Sequence, residues 1–162
     1  MNWKDKTTVK KGDFGEQIIK EHLISKGLIP YIPDFNGVHP FDFLCASPDK
    51  KNMVIVDAKA YARMNRREFG EYWTGINTRH YEEYFHLQQK YKVPVHLYFI
   101  DELEKRIYGN SLSELELSAR IIHTKRGTKT IFRVSDMIHV ASLSEEQVLE
   151  LKRLSSRNYA YR

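Results

Sequence analysis

The chain has 162 residues, of which 41% are hydrophobic and 29% charged, and its formal net charge is +5. This composition is typical of a folded globular domain and excludes a disordered chain. No apolar run is long enough to cross a membrane, and the first residues lack the apolar core of a secretory signal. The single cysteine, Cys45, excludes an intrachain disulfide and a cysteine-rich zinc site. We therefore expect one cytoplasmic domain over residues 1–162, with no membrane contact and no small-molecule cofactor.

The N-terminal part of the sequence predicts one helix followed by three strands. Residues 1–11 are polar and basic and predict a loose arm. A helix is expected from about Asp13, which can cap its start, to Lys26, because Gly27 can end it. The elements expected next are a short strand over 28–32, a loop over 33–40, and strands over 41–46 and 52–60 that form a hairpin around the turn residues 47–51.

The remaining sequence predicts alternating helices and strands. The expected elements are a helix over 78–92, a central strand over 93–101, a further strand over 105–112, a hairpin over 120–134 and a helix over 142–156. The last helix opens with a capping pattern in which Ser142 or Ser144 precedes Glu145. The order helix, three strands, helix, strand predicts a mixed α/β fold. We interpret the aromatic residues of the helix over 78–92, Tyr81, Tyr84 and Phe85, as core residues.

Three charged residues interrupt the two apolar arms of the first hairpin. If its centre lies between Asp49 and Lys50, Asp42 pairs with Asp57. Paired residues project from the same face of a sheet, and Lys59 returns to that face by the two-residue period of a strand. Mg²⁺ prefers oxygen ligands and needs only one or two carboxylates, and a bound metal can polarise a phosphate and activate water. The trio therefore predicts metal-assisted phosphodiester hydrolysis.

This arrangement resembles the PD-(D/E)XK nuclease superfamily, which includes restriction endonucleases, Holliday-junction resolvases and many phage nucleases. Asp42 corresponds to the first acid, and Asp57-Ala58-Lys59 corresponds to the (D/E)xK element. Glu16 matches a glutamate that these proteins often carry on the first helix. The resemblance covers about residues 10–100. It implies a restriction-endonuclease-like α/β fold, with an αβββαβ core, a mixed central sheet flanked by helices, and a C-terminal hairpin and helix.

The resemblance also implies the roles of individual residues. The implied catalytic residues are Glu16, Asp42, Asp57 and Lys59, and the implied ligands of Mg²⁺ (or of Mn²⁺ in its place) are Asp42, Asp57, Ala58 and Glu16. Residues 12–100 would then form the catalytic core, and residues 101–162 an extension of strand, hairpin and helix.

The sequence departs from the family pattern at the first acid, because Phe41 rather than proline precedes Asp42. Literal Pro-Asp pairs end at Asp34 and Asp49. Asp49 lies eight residues from Asp57, or about 26 Å along an extended strand, which is too far for a shared metal. Asp34 remains an alternative, although its surroundings are typical of a turn. We choose Asp42.

Residues 59–67 carry four cations and no acid. We expect a basic loop there, which leaves the sheet at the open end of the hairpin. Its residues Arg63, Arg66 and Arg67 would bind DNA phosphates that flank the scissile one. Arg79, Lys10 and Lys11 are further candidates for DNA binding.

The residues and the resemblance together predict a Mg²⁺-dependent DNA endonuclease, similar to small phage or prophage nucleases of the superfamily. A Holliday-junction or branched-DNA resolvase is one alternative. A nucleic-acid-binding module that has lost catalysis is another, although the complete set of Asp42, Asp57 and Lys59 argues against it. Because cutting both strands of DNA requires two active sites, we expect a homodimer.

Overall fold

The computed structural model describes residues 6–34, 39–61 and 66–155, and for residues 66–68 it describes the backbone alone. The helices are α1 (Thr7–Ser25), α2 (Thr78–Tyr91), α3 (Leu112–Glu116) and α4 (Glu145–Leu154), with a short 3-10 helix at Val134–Asp136. The strands are β1 (Ile29–Tyr31), β2 (Phe43–Ala46), β3 (Met53–Tyr61), β4 (Arg66–Glu68), β5 (Glu71–Asn77), β6 (Val95–Asp101), β7 (Arg106–Ser111), β8 (Arg120–Thr124), β9 (Gly127–Arg133) and β10 (Ile138–Ser142).

The described strands form two sheets. The central sheet has the order β1-β2-β3-β6-β7-β10. It is mixed, because β3 and β6 run parallel whereas its other neighbouring strands are antiparallel. The second sheet has the order β4-β5-β9-β8 and is antiparallel throughout. The predicted mixed α/β fold is thereby confirmed, with the two strands β4 and β5 inserted between the three-stranded unit and α2.

The central sheet separates two hydrophobic cores. Val56 of β3 and Ile100 of β6 belong to the core that includes buried residues of α1 and α4. Their neighbours Ile55 and Phe99 belong to the core that includes buried residues of α2, α3 and the second sheet. Successive side chains of a strand point to opposite faces, so strands covered on both faces are apolar almost without interruption. Asp57 and Lys59 are therefore unusual residues for a strand that is covered on both faces.

Helix α1 begins at Thr7 rather than at Asp13, so the predicted loose arm is wrong for residues 7–11. Lysine is a good helix former, and the Lys11 ammonium pairs with the buried carboxylate of Glu102 and donates to Ser155 Oγ at 3.1 Å. These tertiary contacts hold the first turns of the helix. The end of the helix agrees with the prediction, because Gly27 follows it with φ of +79°.

The register predicted for the first hairpin is confirmed from Phe43 to Ala46, but the regular pairing ends at Phe43 with Val56, so Asp42 and Asp57 do not form the predicted pair. Leu44 pairs with Ile55, and Ala46 pairs with Met53. The turn is closed by backbone hydrogen bonds from Ser47 N to Asn52 O at 2.9 Å and from Lys50 N to Ser47 O at 2.8 Å. Turn chemistry and apolar pattern therefore agree on one register.

The prediction of a basic loop over residues 59–67 is wrong in two places. Strand β3 continues through Tyr61, and β4 begins at Arg66 and pairs with β5 around Phe69 and Gly70. Residues 62–65, which include Arg63, lie outside the described residues. Helix α3 and strand β10 were not predicted either. Strand β5 pairs with β4 through the local turn at Phe69 and Gly70. It also pairs with the distant β9, where Gly75 faces Ile131, and this second partner leaves no local signal.

The C-terminal predictions differ from the structure only in detail. The hairpin of β8 and β9 turns between Thr124 and Gly127, as expected. Ser144 caps α4, and its partner in the capping box is Gln147 instead of Glu145. In the described part of the chain, no helix is both long enough and apolar enough to cross a membrane.

Candidate active site

The centre of the candidate site is a pair of opposite charges on β3. Asp57 is 3% exposed, because β3 lies between β2 and β6 and is covered on both faces. Lys59 Nζ lies 2.5 Å from Asp57 Oδ2, and the lysine side chain is 23% exposed. The two residues are two positions apart and so share one face of the sheet, as predicted. The ammonium group thus balances a carboxylate that burial alone would penalise.

Asp42 lies where the pairing of β2 with β3 ends. The last regular pair is Phe43 with Val56. Beyond it, the backbone N–H of Asp42 donates to Val56 O at 3.2 Å, and Asp42 Oδ2 accepts the N–H of Ala58 at 2.7 Å. The side chain of Asp42 therefore takes a backbone donor of β3 and is fixed beside the Asp57-Ala58-Lys59 segment.

The charges of neighbouring carboxylates perturb Asp42. Burial, followed by the charges of Asp57 and Glu16, raises the pKa of Asp42 to about 8. The hydrogen bond from Ala58 N and the charge of Lys59 act in the opposite direction but are weaker. An aspartate whose pKa is raised to about 8 within electrostatic range of a second, buried aspartate indicates a place where additional positive charge would be stabilised.

Glu16 approaches the same site from α1. The adjacent Gly15 packs against β3 so closely that a Cβ atom there would lie 2.9 Å from the Cβ of Ala60. Burial raises the pKa of Glu16, and the charges of Asp13 and Asp57 raise it further. The structure therefore brings Glu16 within electrostatic range of Asp57, as a half-buried group at the edge of the site.

Tyr84 of α2 is a site residue that the sequence analysis assigned to the core alone. Its ring does lie in the core and the residue is only 4% exposed, but its hydroxyl accepts a hydrogen bond from Lys59 Nζ at 3.3 Å. Burial raises the pKa of Tyr84, and the charge of Asp57 and a hydrogen bond to it add to the effect. A buried tyrosine needs a hydrogen-bond partner for its hydroxyl. This requirement is the one feature of the sequence that could have indicated a role for Tyr84 beyond the core.

The oxygen donors at the site fit a magnesium ion. Among the described residues, no group of three or more His, Cys, Asp and Glu side chains is placed to hold a metal. Mg²⁺ does not require such a group, since it keeps several waters and binds through one or two carboxylates together with substrate phosphates. Asp42 and Asp57 supply two carboxylates. Burial and the charges of Asp57 and Glu16 raise the pKa of Asp42, and a cation beside it would favour the ionised form. The ligand roles of Asp42, Asp57, Ala58 and Glu16 stay predictions.

Neither of the two alternative first acids is buried beside β3. Asp49 is in the turn of the hairpin, where its carboxylate accepts hydrogen bonds from Ser47 Oγ and from Lys51 N. Asp34 is exposed in the segment after β1. Asp49 therefore serves the local turn, and Asp42 is the acid that contacts β3.

The residues predicted to bind DNA occupy different environments. Arg66 and Arg67 lie in β4, where their backbones pair with Trp73 and Tyr72. Arg79 opens α2 with a side chain that is 86% exposed and paired with Glu83. Lys10 is exposed on the first helix.

Lys11, a further candidate for DNA binding, is held within the protein. Its side chain is 13% exposed and forms the ion pair with Glu102, whose side chain is fully buried. This pair joins α1 to the end of β6 and fixes the ammonium away from solvent.

A comparison with protein-family models found no match, and a comparison with curated protein sequences found none either. Among solved structures, Hjc of Archaeoglobus fulgidus, a Holliday junction resolvase, matches 89% of this chain and 100% of its own, with a TM-score of 0.53 and 10% identity. A nuclease from a fusselovirus matches 86% of this chain and 87% of its own, with a TM-score of 0.48 and 13% identity. With the mixed central sheet and its flanking helices, the likeness to Hjc identifies the fold of this chain as the restriction-endonuclease-like α/β fold.

Proposed function

We propose that this protein is a Mg²⁺-dependent endonuclease that hydrolyses phosphodiester bonds in DNA. One observation carries the proposal: a buried aspartate paired with lysine lies beside a second aspartate whose pKa is raised by burial and by its carboxylate neighbours. Buried structural ion pairs are normally balanced in charge. Here Lys59 contacts Asp57 and acts electrostatically on Asp42 and Glu16. Among the described side chains, three carboxylates therefore interact with this one ammonium, and such an excess of carboxylates fits a cation site.

In this proposal Asp42 and Asp57 hold the metal ion, with Glu16 and the carbonyl oxygen of Ala58 as additional ligands, direct or through water. Mg²⁺ would polarise the scissile phosphate and lower the pKa of a coordinated water, and Mn²⁺ would substitute for it. The protein supplies the positions of these groups. The hydrogen bond from Ala58 N keeps the Asp42 carboxylate against β3, so the donors are arranged before substrate arrives.

Lys59 would act on the reacting phosphate. Its side chain is partly exposed, unlike that of Asp57, so the ammonium can face a bound substrate while its stem lies on the sheet. A lysine at this position stabilises the negative charge that develops on the phosphate in the transition state. Tyr84, whose hydroxyl accepts from Lys59 Nζ, restricts the ammonium to the site.

DNA phosphates on either side of the scissile bond would contact Arg63, Arg66 and Arg67, with Arg79 and Lys10 as further contacts. Each phosphate contact on duplex DNA contributes about −0.9 to the slope of log affinity against log salt concentration. Replacing the three arginines by alanine should therefore weaken binding to every sequence and flatten that slope by about two to three. An unchanged slope would place the DNA path elsewhere.

A second candidate is a resolvase of Holliday junctions or other branched DNA. The likeness to Hjc favours it, because this chain matches the whole length of that resolvase. Cutting both strands of a junction would require two copies of the site, which a homodimer with two-fold symmetry provides. Light scattering with and without DNA tests this assembly, and a monomer under both conditions would favour nicking or single-strand cleavage.

The test is cleavage of end-labelled DNA by purified protein in Mg²⁺ or Mn²⁺. The substrates are an unbroken duplex, a nicked duplex, a single strand and a four-way junction of matched sequence. Asp57→Asn and Lys59→Ala should each abolish most of the cleavage, whereas Asp49→Asn, in the hairpin turn, should cleave as the wild type does. Cleavage of the junction in preference to the duplex would select the resolvase. Binding without cleavage of any substrate would overturn the nuclease proposal in favour of a binding module.

A further inference from the structure

The hairpin of β4 and β5 places an aromatic side chain at an unfavourable backbone position. Phe69 and Gly70 form its two-residue turn, with φ of +49° and +80°. Such turns favour Asn, Asp or Gly at the first position, and a bulky residue with positive φ is uncommon. Phe69 is also 60% exposed. Neither the positive φ nor the exposed ring of Phe69 stabilises the fold. Strained residues of this kind concentrate at functional sites.

The ring of Phe69 is held in place by two neighbours. It packs edge-on against Trp73, with the ring centroids 5.8 Å apart, and Trp73 is only 1% exposed. The Arg120 guanidinium, from β8, lies 4.9 Å from the centroid of Phe69 and 5.3 Å from that of Trp73. We call these three residues the aromatic platform. It presents an exposed ring on a rigid sheet, with a cation beside it.

The guanidinium of the platform is exposed to solvent. Among the described side chains, no carboxylate forms an ion pair with Arg120. An exposed aromatic ring beside an exposed guanidinium suits a planar base attached to a phosphate, because bases stack on aromatic rings and arginine binds both the ring face and the phosphate. A base in an intact duplex is stacked on its neighbours and cannot reach such a ring.

The platform lies within reach of DNA bound at the candidate active site. Tyr61, four residues after Asp57 on β3, donates from its hydroxyl to Gly75 O of β5 at 2.8 Å. At about 3.3 Å per residue, Asp57 lies about 13 Å from Tyr61 along β3, and Phe69 lies about 20 Å from Gly75 along β5. Together with the Tyr61 side chain that joins the two strands, these lengths limit the separation of the two places to little more than one helical turn of DNA, about 34–36 Å. A DNA molecule of two turns is therefore long enough to contact both places.

We propose that the aromatic platform binds an unstacked base, so that the enzyme selects DNA with a branch point or a single-stranded segment over intact duplex. The inference rests on the proposed nuclease function and adds to it a surface that recognises substrate structure. Phe69 provides the stacking surface, Trp73 fixes its orientation, and Arg120 adds charge for the adjoining phosphate.

The test compares variants of Phe69 in binding and cleavage. Phe69→Asn removes the ring and places a residue that the turn conformation favours, so the hairpin should be at least as stable as in the wild type. Phe69→Trp keeps a stacking surface. Tyr72→Ala is the matched control, because Tyr72 is 58% exposed on the same strand as Trp73 but lies outside the platform.

Binding is measured with Ca²⁺ in place of Mg²⁺, on a four-way junction, a single strand and an intact duplex of equal length. Phe69→Asn should weaken binding to the junction and the single strand about 5- to 100-fold, the range for the loss of one stacked base, with little effect on duplex. Phe69→Trp and Tyr72→Ala should bind all three as the wild type does. The proposal would be overturned if Phe69→Asn bound all three DNA molecules as tightly as the wild type, or if it lost as much affinity for duplex as for the junction and the single strand. Either result would leave the proposed nuclease function standing. A wild type that cleaves no DNA would instead overturn the proposed function on which the inference rests.

Discussion

Replacing Asp42 by asparagine should stabilise the metal-free protein, and the gain should grow with pH. Asparagine has nearly the same shape and can still accept the hydrogen bond from Ala58 N, which is 2.7 Å long in the wild type. It cannot ionise. The substitution therefore removes the cost of charging a buried carboxyl next to Asp57 and Glu16, the groups that raise the pKa of Asp42 together with burial.

The size of the effect follows from the pKa of Asp42, which rises from an ordinary 3.8 to about 8. Because the folded-state pKa is the higher one, the carboxyl does not destabilise the fold below pH 3.8, and stability is lost as the pH rises towards about 8. One pH unit in this window corresponds to about 1.4 kcal/mol. Between pH 5 and 8, the difference in unfolding free energy between Asp42→Asn and wild type should therefore grow by about 4 kcal/mol.

Urea unfolding at several pH values between 5 and 8, in a chelator, measures this difference. Asp49→Asn is the control, because Asp49 is exposed and its pKa is lowered by the hydrogen bond from Ser47, so it is ionised throughout this window. Added Mg²⁺ should flatten the pH dependence of the wild type, since a cation beside Asp42 favours the ionised form. If the unfolding free energies of wild type and Asp42→Asn changed equally with pH in the absence of metal, the pKa of Asp42 would not be raised in the folded protein.

Three further predictions address single contacts. Asp57→Asn should lower Ca²⁺ or Mg²⁺ affinity at least tenfold by calorimetry, because it removes a proposed ligand, and equal affinity would exclude Asp57 from the metal site. Tyr84→Phe should lower kcat several-fold with little change in KM, because it frees the Lys59 ammonium from a hydrogen bond; a changed KM alone would contradict that positioning role. Lys11→Met should destabilise the fold by about 3–5 kcal/mol, and adding Glu102→Gln to it should recover much of the loss, because a lone charge at this buried pair costs more than a neutral pair; urea unfolding measures both.

The hairpin of β2 and β3, with the Asp57–Lys59 pair, could be predicted from the sequence alone. The turn after Ala46 and the apolar pattern of the two arms fix the register of the hairpin, and a shift by one residue would expose one arm's core face. The two-residue period then places Asp57 and Lys59 on one face, where they form the ion pair. These relations involve residues close together in the chain, so pattern and turn chemistry are sufficient to predict them.

The meeting of distant groups could be learned from the tertiary structure alone. Strand β5 enters the second sheet beside β9, Lys11 belongs to a helix anchored by Glu102, and the hydroxyl of Tyr84 contacts Lys59 across the interface of α2 with the central sheet. Each of these contacts joins segments far apart in the chain, and its free energy appears only when the intervening elements are packed. A lysine in a polar N-terminal segment, or a tyrosine on an amphipathic helix, therefore has the same local sequence signal whether its polar group faces solvent or a buried partner.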